Sequence, residues 1–202
     1  MNKISPDYLA LQRLYDWEAN EPGRIAMTQP MGGGEVKDFT WAEVADEVRR
    51  MAAHLKAQGW EPGSRVAILS KNCAWWMMSD LAIWMAGHVS VPLYPTLAAE
   101  TVHQILTHSG SKALFVGKLD GWEHMKPGVP EDMPCISYPL SPDDARAAYE
   151  GWDAIIARTP PMTESPTRGE DELATLIYTS GTTGMPKGVM HSFGNFAWAL
   201  DR

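Results

Sequence analysis

Thr179 to Gly184 reads TSGTTG, and Met185-Pro186-Lys187-Gly188 follows it directly. Glycines at 181 and 184 carry no Cβ penalty at positive φ, so backbone N–H groups can converge there. Successive N–H groups in such a turn form a concave nest for an anion. The hydroxyls of Thr179, Ser180, Thr182 and Thr183 can donate to phosphate oxygens or ligate a hydrated cation. Lys187, three residues after Gly184, adds a mobile point charge suited to phosphate. The alternative is a plain exposed hairpin turn. That would account for GTTG alone, but the whole stretch Tyr178–Gly188 reads as a polyphosphate cradle.

Two familiar phosphate loops do not fit. The pattern G-x-x-x-x-G-K-[ST] needs Gly-Lys followed by a hydroxyl, whereas Lys187 lies between Pro186 and Gly188. The dinucleotide fingerprint needs a helix opening in the glycine turn. Here ELATLIYTS precedes the loop and GVMHS follows, so the loop is expected to join two strands.

The segments that must position this loop alternate between helix and strand signals. Ser5-Pro6 predicts an N-cap and first helical residue for a helix running to Glu18. RIAMTQ and EVKDFT, separated by Gly32-Gly33-Gly34, predict a hairpin. Thr40 and Glu43 have capping-box spacing. Val44, Val48, Met51, Ala52 and Leu55 then recur at helical intervals up to Gly59, with Asp46 and Arg50 paired on the outer face. RVAILS is a buried strand, residues 73–86 a helix whose Met77, Leu81, Trp84 and Met85 share a face, and HVSVPLY a strand that Pro92 places at an edge. Thr96 is the expected cap of a helix with Val102, Ile105 and Leu106 inward, ending at Ser109-Gly110, and KALFVG is another strand. Apolar strands separated by single helices predict an α/β fold with a largely parallel sheet flanked by helices.

The expected organisation is a βαβ part over 1–117, an irregular connector region over 118–172, strand–loop–strand over 173–192, and the start of a helix over 193–202. Within the connector, KPGVPEDMP and RTPPMTESPTRGEDE are Pro-rich and polar, ESPTRGEDE reading as a solvated linker. A short strand near Cys135-Ile136 and a helix over Ala145–Ala157 lie between them.

Composition narrows the partners. A chain of 202 residues, 45% hydrophobic and 21% charged, is ordinary for a globular protein, and 17 Lys+Arg against 25 Asp+Glu gives a net charge of −8. With no cluster of basic residues, nucleic acid is disfavoured. Cys73 and Cys135 read as free thiols in a reducing cytosol. The start carries no secretory signal, and Leu81–Ala99 is broken by Gly87, Pro92 and Pro95, so no membrane span is expected. The Trp and Met residues at 75–78, 84 and 85 read as core rather than as a lipid groove. The histidines lack mutual ligand spacing, and His191 reads as a strand-end residue rather than a base.

YTSGTTGMPKGV resembles the signature of the AMP-forming adenylating enzymes, which include acyl-CoA synthetases and nonribosomal peptide adenylation domains. FTWAEVADEVRRMAAHL, GSRVAILSKNCAWW, DLAIWMAGHVSVPLYPTL and KALFVG resemble the N-terminal region of bacterial long-chain fatty acyl-CoA synthetases. One departure is Trp75, where many relatives carry an acidic residue before the Trp of an N-x-x-E-W pattern. The resemblance implies a truncated N-terminal part of the adenylation-domain fold. It also implies ATP-dependent activation of a fatty acid to acyl-AMP, then transfer to coenzyme A. The phosphate contacts it implies are Thr179, Ser180, Gly181, Thr182, Thr183, Gly184 and Lys187, with Thr179 also touching Mg²⁺. Fatty acid, ATP and coenzyme A are the implied substrates, and the implied location is cytoplasmic, with peripheral contact at the inner face of the membrane left open. The family's later Tyr-Gly-x-Thr-Glu motif and its C-terminal catalytic lysine are not among these residues, so the isolated chain is expected to be inactive. Three rival readings remain: the same chemistry on another carboxylic acid, a non-catalytic nucleotide-binding module, and a purely structural fragment.

Overall fold

The structure is a computed structural model that describes residues 5–179 and 186–200. Helix α1 (Ala10–Asn20) leads into an antiparallel hairpin of β1 (Ile25–Gly32) and β2 (Glu35–Thr40). All three turn glycines take positive φ (103°, 60° and 87°), which is why only glycine serves there. Thr40 then closes the expected capping box: Glu43 N–H donates to Thr40 Oγ1 while Thr40 N–H donates to the Glu43 carboxylate at 2.7 Å. These bonds hold the Glu43 carboxyl below its ordinary range and start α2 (Trp41–Lys56), whose Val44, Val48, Met51, Ala52 and Leu55 are all buried. Asp46 and Arg50 pair at 2.7 Å as the spacing predicts.

A doubly wound unit follows: β3 (Arg65–Leu69), α3 (Ala74–Met85), β4 (Val89–Leu93), α4 (Ala99–Ser109), β5 (Leu114–Val116), α5 (Trp122–Met125) and β6 (Cys135–Ser137). After it come α6 (Asp143–Ala148), β7 (Glu150–Gly151), α7 (Trp152–Arg158), β8 (Leu173–Thr179), β9 (Lys187–Ser192) and α8 (Phe193–Leu200). Among the described residues the large sheet runs β7-β6-β5-β3-β4-β8-β9. Every neighbouring pair is parallel except β8 with β9. Alternate residues of the central strands feed two cores. Val66, Ile68 and Phe115 pack with α2 and α3 on one face. Ala67, Leu69 and Val116 pack with α4 on the other.

Several local expectations change. Pro92 does not mark an edge: β4 lies between β3 and β8 and pairs with β3 over its whole length. The reason is strand alternation. Val89 N–H donates to Ser64 on the β3 side, so residue 92 turns its missing donor towards β8, where the recorded pairing is Ser90 with Thr175 alone. Thr96 does not cap α4. Ala98 occupies that position without a side-chain bond, although Val102, Ile105 and Leu106 are buried and Gly110 ends the helix in the left-handed region, as expected.

Ser5 caps a single 3₁₀ turn, Pro6–Tyr8, and an extended Leu9 separates it from α1. The helix expected over Ala145–Ala157 breaks in two, because Tyr149–Gly151 becomes extended to add β7 beside β6. Met77 does not share the inward face of α3. It is 53% exposed, whereas Trp75, Met78, Trp84 and Met85 are buried. Trp75, the departure from the family pattern, meets Phe39 edge-on at 5.8 Å and belongs to the core.

The Pro-rich stretch before β8 is exposed but not a loose linker. Extended chain interrupted by prolines leaves carbonyls without partners of its own. Arg49 Nη1 donates to Glu164 O at 2.9 Å, and Tyr15 Oη to Pro166 O at 2.8 Å. Arg168 in turn donates to Trp84 O and His88 O. The segment is thereby tied along α1, α2 and the end of α3, and it delivers the chain to the start of β8.

Candidate functional site

In an open α/β sheet, ligands usually settle at the carboxyl ends of the strands where the winding reverses. Here that point lies between β3, whose connection runs to β4, and β5, whose connection runs to β6. It is closed. Ser70, after β3, is 3% exposed and accepts from Lys118 N–H at 2.9 Å. A Cβ on Gly117, after β5, would collide with the Ser70 side chain and lie 2.5 Å from Tyr138 Cδ2. Lys71 and Asp120 pair across the same gap.

The strand pair β8–β9 offers a different place. Its register sets Thr179 opposite Lys187, Tyr178 opposite Gly188 and Ile177 opposite Val189. Thr179 and Lys187, two of the residues expected to contact phosphate, therefore face each other across the two ends of the loop, and both are exposed. Backbone pairing thus sets a hydroxyl-bearing residue opposite an ammonium-bearing one. Ser180, Gly181, Thr182, Thr183 and Gly184 lie outside the described residues. Met190, beyond the mouth, is 71% exposed.

Below the mouth, Tyr178 is buried and its hydroxyl lies 2.8 Å from His108 Nδ1 on α4, the two rings meeting edge-on at 5.7 Å. Burial raises the Tyr178 pKa, with Arg65 pulling the other way. Gly188 is glycine for a reason of space: a Cβ there would sit 3.1 Å from Tyr178 Cζ. Sequence reasoning identified the loop but not His108, because a partner 70 positions away leaves no local signal.

The return from the hairpin is also set locally. Ser192 N–H donates to Asn195 Oδ1 at 2.9 Å and Asn195 N–H to Ser192 Oγ at 3.3 Å, a reciprocal cap that starts α8. Phe193 of α8 packs edge-on against Trp84, whose Nε1 donates to Ala174 O in β8 at 2.8 Å. His191 pairs with Thr175 across the hairpin, and its ring lies 6.2 Å from that of Phe196. Cys73 and Cys135 are free thiols. Among the described residues no helix is long and apolar enough to cross a membrane.

Comparison with known proteins adds to this geometry. The chain is 32% identical over 188 residues to the long-chain-fatty-acid–CoA ligase FadD15 of Mycobacterium bovis, covering 91% of this chain and 28% of that one. It is 30% identical over 189 residues to the 3-methylmercaptopropionyl-CoA ligase of Ruegeria pomeroyi, covering 91% and 35%. It thus spans about a third or less of the curated relatives it matches. The acetoacetyl-CoA synthetase of Streptomyces lividans shares the fold at a TM-score of 0.77 and 23% identity, over 92% of this chain and 30% of that one. The pattern that defines the AMP-binding enzymes matches from residue 14 to residue 202, nearly the whole chain, and the protein belongs to that family.

Proposed function

We propose that the loop between β8 and β9 holds the β- and γ-phosphates of ATP while a carboxylate is adenylated. The whole protein then passes the acyl group to the thiol of coenzyme A. The observation that carries this reading is the cross-strand pairing of Thr179 with Lys187, both exposed, at the mouth of a Ser/Thr/Gly loop. Attack of a carboxylate on the α-phosphate brings two anions together and releases pyrophosphate. Donors held in place at the leaving phosphates lower that barrier because they need no reorganisation during the step. Lys187 supplies the charge. Thr179, Ser180, Thr182 and Thr183 supply hydroxyls, and Gly181 and Gly184 let the backbone approach.

Mg²⁺ would enter with the nucleotide. Among the described residues no three His, Cys, Asp or Glu gather to cage a metal. The Thr179 hydroxyl fits a cation already carried on phosphate oxygens, the usual habit of Mg²⁺. Bound there, the ion neutralises charge on the phosphates. The proposed site of action is the cytoplasm.

For the acid, a long-chain fatty acid is the reading we favour, supported by the likeness to the mycobacterial ligase. A different carboxylic acid is the second reading, supported by the likeness to the methylmercaptopropionyl enzyme over the same share of the chain. Acid-dependent ATP–pyrophosphate exchange by the whole protein, with palmitate against short and aromatic acids, separates the two.

The loop itself is tested by titrating tripolyphosphate and Mg-ATP into this chain by calorimetry. Bonds to charged groups contribute about 1.5–3 kcal/mol, so Lys187→Ala should weaken binding at least tenfold. Equal affinity of the altered and unaltered chains would remove the loop from the mechanism.

A further inference from the structure

We infer that His108 is a positioning residue for Thr179 and Lys187, acting through Tyr178. The inference rests on the proposed role of Thr179 and Lys187 and extends it to the device that holds them.

Hydrogen bonds fasten the base of the β8–β9 hairpin. There Thr175 Oγ1 donates to Ser90 O at 3.0 Å, and Trp84 Nε1 donates to Ala174 O at 2.8 Å. Phe193 N–H donates to Glu172 O, and Gly194 N–H to Glu170 O. Ser90 with Thr175 is the backbone pair between β8 and β4. From Leu176 to Thr179 the strand pairs with β9, whose residues Lys187 to Met190 are exposed. The outer half of β8 still lies alongside β4 and carries Leu176 and Tyr178 into the core.

One side-chain hydrogen bond ties that outer half back to the body among the described residues: Tyr178 Oη to His108 Nδ1 at 2.8 Å. With the imidazole proton on Nε2 the tyrosine hydroxyl donates, and with the other tautomer His108 donates. The tie is placed where it controls the mouth. Tyr178 adjoins Thr179 in sequence, its ring lies across Gly188, and Gly188 adjoins Lys187. Fixing one ring thus fixes the strand residues on both sides of the loop. His108 sits in the last turn of α4, whose Val102, Ile105 and Leu106 are buried in the same core as Leu176 and Tyr178. Burial thus holds α4 in place, and His108 stands exposed at its end with its ring against Tyr178.

Binding of tripolyphosphate by this chain, measured alongside thermal unfolding, tests the inference. A neutral hydrogen bond lost at one remove from the ligand predicts a three- to tenfold weaker affinity in His108→Ala and in Tyr178→Phe. The double variant should be no weaker than either single one, since both remove the same tie. His108→Asn, which can place a polar atom near Nδ1, should recover affinity to within twofold. A lower unfolding temperature with unchanged affinity in the folded His108→Ala chain would reduce the pair to a purely structural role and overturn the inference. So would additive losses in the double variant. If the unaltered chain binds no tripolyphosphate, the loop reading falls and this inference falls with it.

Discussion

Asp80 gives the sharpest quantitative test of the packing beneath the hairpin. It lies on α3 and is only part-buried as a residue, yet its Oδ1 has no solvent contact and no hydrogen-bond partner. Burial pushes its pKa from 3.8 up to about 7, against a smaller opposing pull from the Ser90 hydroxyl of β4. A carboxyl raised in this way is protonated in the fold but ionised in the unfolded chain through the interval between the two values. Its contribution to stability is complete below about pH 4 and is lost as pH rises towards 7. Roughly three decades of acidity at about 1.4 kcal/mol each set an upper figure of about 4 kcal/mol. The exposed part of the residue lowers that figure, because water can reach the ion from one side. Asp80→Asn keeps the shape and removes the titration. Urea unfolding of both chains from pH 4 to pH 8 is the assay. The two should agree within about 1 kcal/mol at pH 4, and the Asn chain should be ahead by about 2–4 kcal/mol at pH 8. With a slope of about 2 kcal/mol per molar urea, that is a midpoint higher by 1–2 M. Midpoints that run parallel across the whole pH range would refute the assignment of a neutral carboxyl to this position.

Two further outcomes follow from the same core. Gly117→Ala should cost more than about 3 kcal/mol in chemical denaturation, because a methyl group there meets Ser70 and the Tyr138 ring between two central strands, and Ser70→Gly in the same chain should recover part of the loss. His88 is 2% exposed with neither ring nitrogen bonded, and burial, with Arg168 adding to it, lowers its pKa below 6.5. The neutral ring is the folded form, so its contribution holds above pH 6.5 and is lost as pH falls below it. Replacing His88 by Leu should flatten the loss of stability between pH 6.5 and 5, measured by thermal unfolding.

What was legible in the sequence was whatever a few adjacent residues decide. The capping box at Thr40 and Glu43, the glycine turn at 32–34, the left-handed Gly110 and the apolar runs of β3 and β5 are local facts. Each is found where its spacing puts it. The misreadings share a different property, dependence on a partner distant in sequence. Pro92 is an edge signal only if its N–H side needs a ladder bond, and whether it does is set by where β8 stops pairing. Residues 145–157 carry a helical pattern, but β6 recruits Glu150 and Gly151 as a strand. The acidic stretch before β8 looks like free linker until Arg49 and Tyr15 supply donors to its carbonyls.

The candidate site divides along the same line. The phosphate role proposed for TSGTTG comes from composition alone, because glycines and hydroxyls in one short run are a local signal. The placing of Thr179 and Lys187 is not local. It involves a glycine at 188 that admits the Tyr178 ring and a histidine on α4 within hydrogen-bond distance of the tyrosine hydroxyl. A motif can thus suggest a ligand while leaving its positioning to residues brought close only when the chain is folded. For that reason the His108 and Tyr178 variants bear on mechanism more directly than another substitution inside the loop.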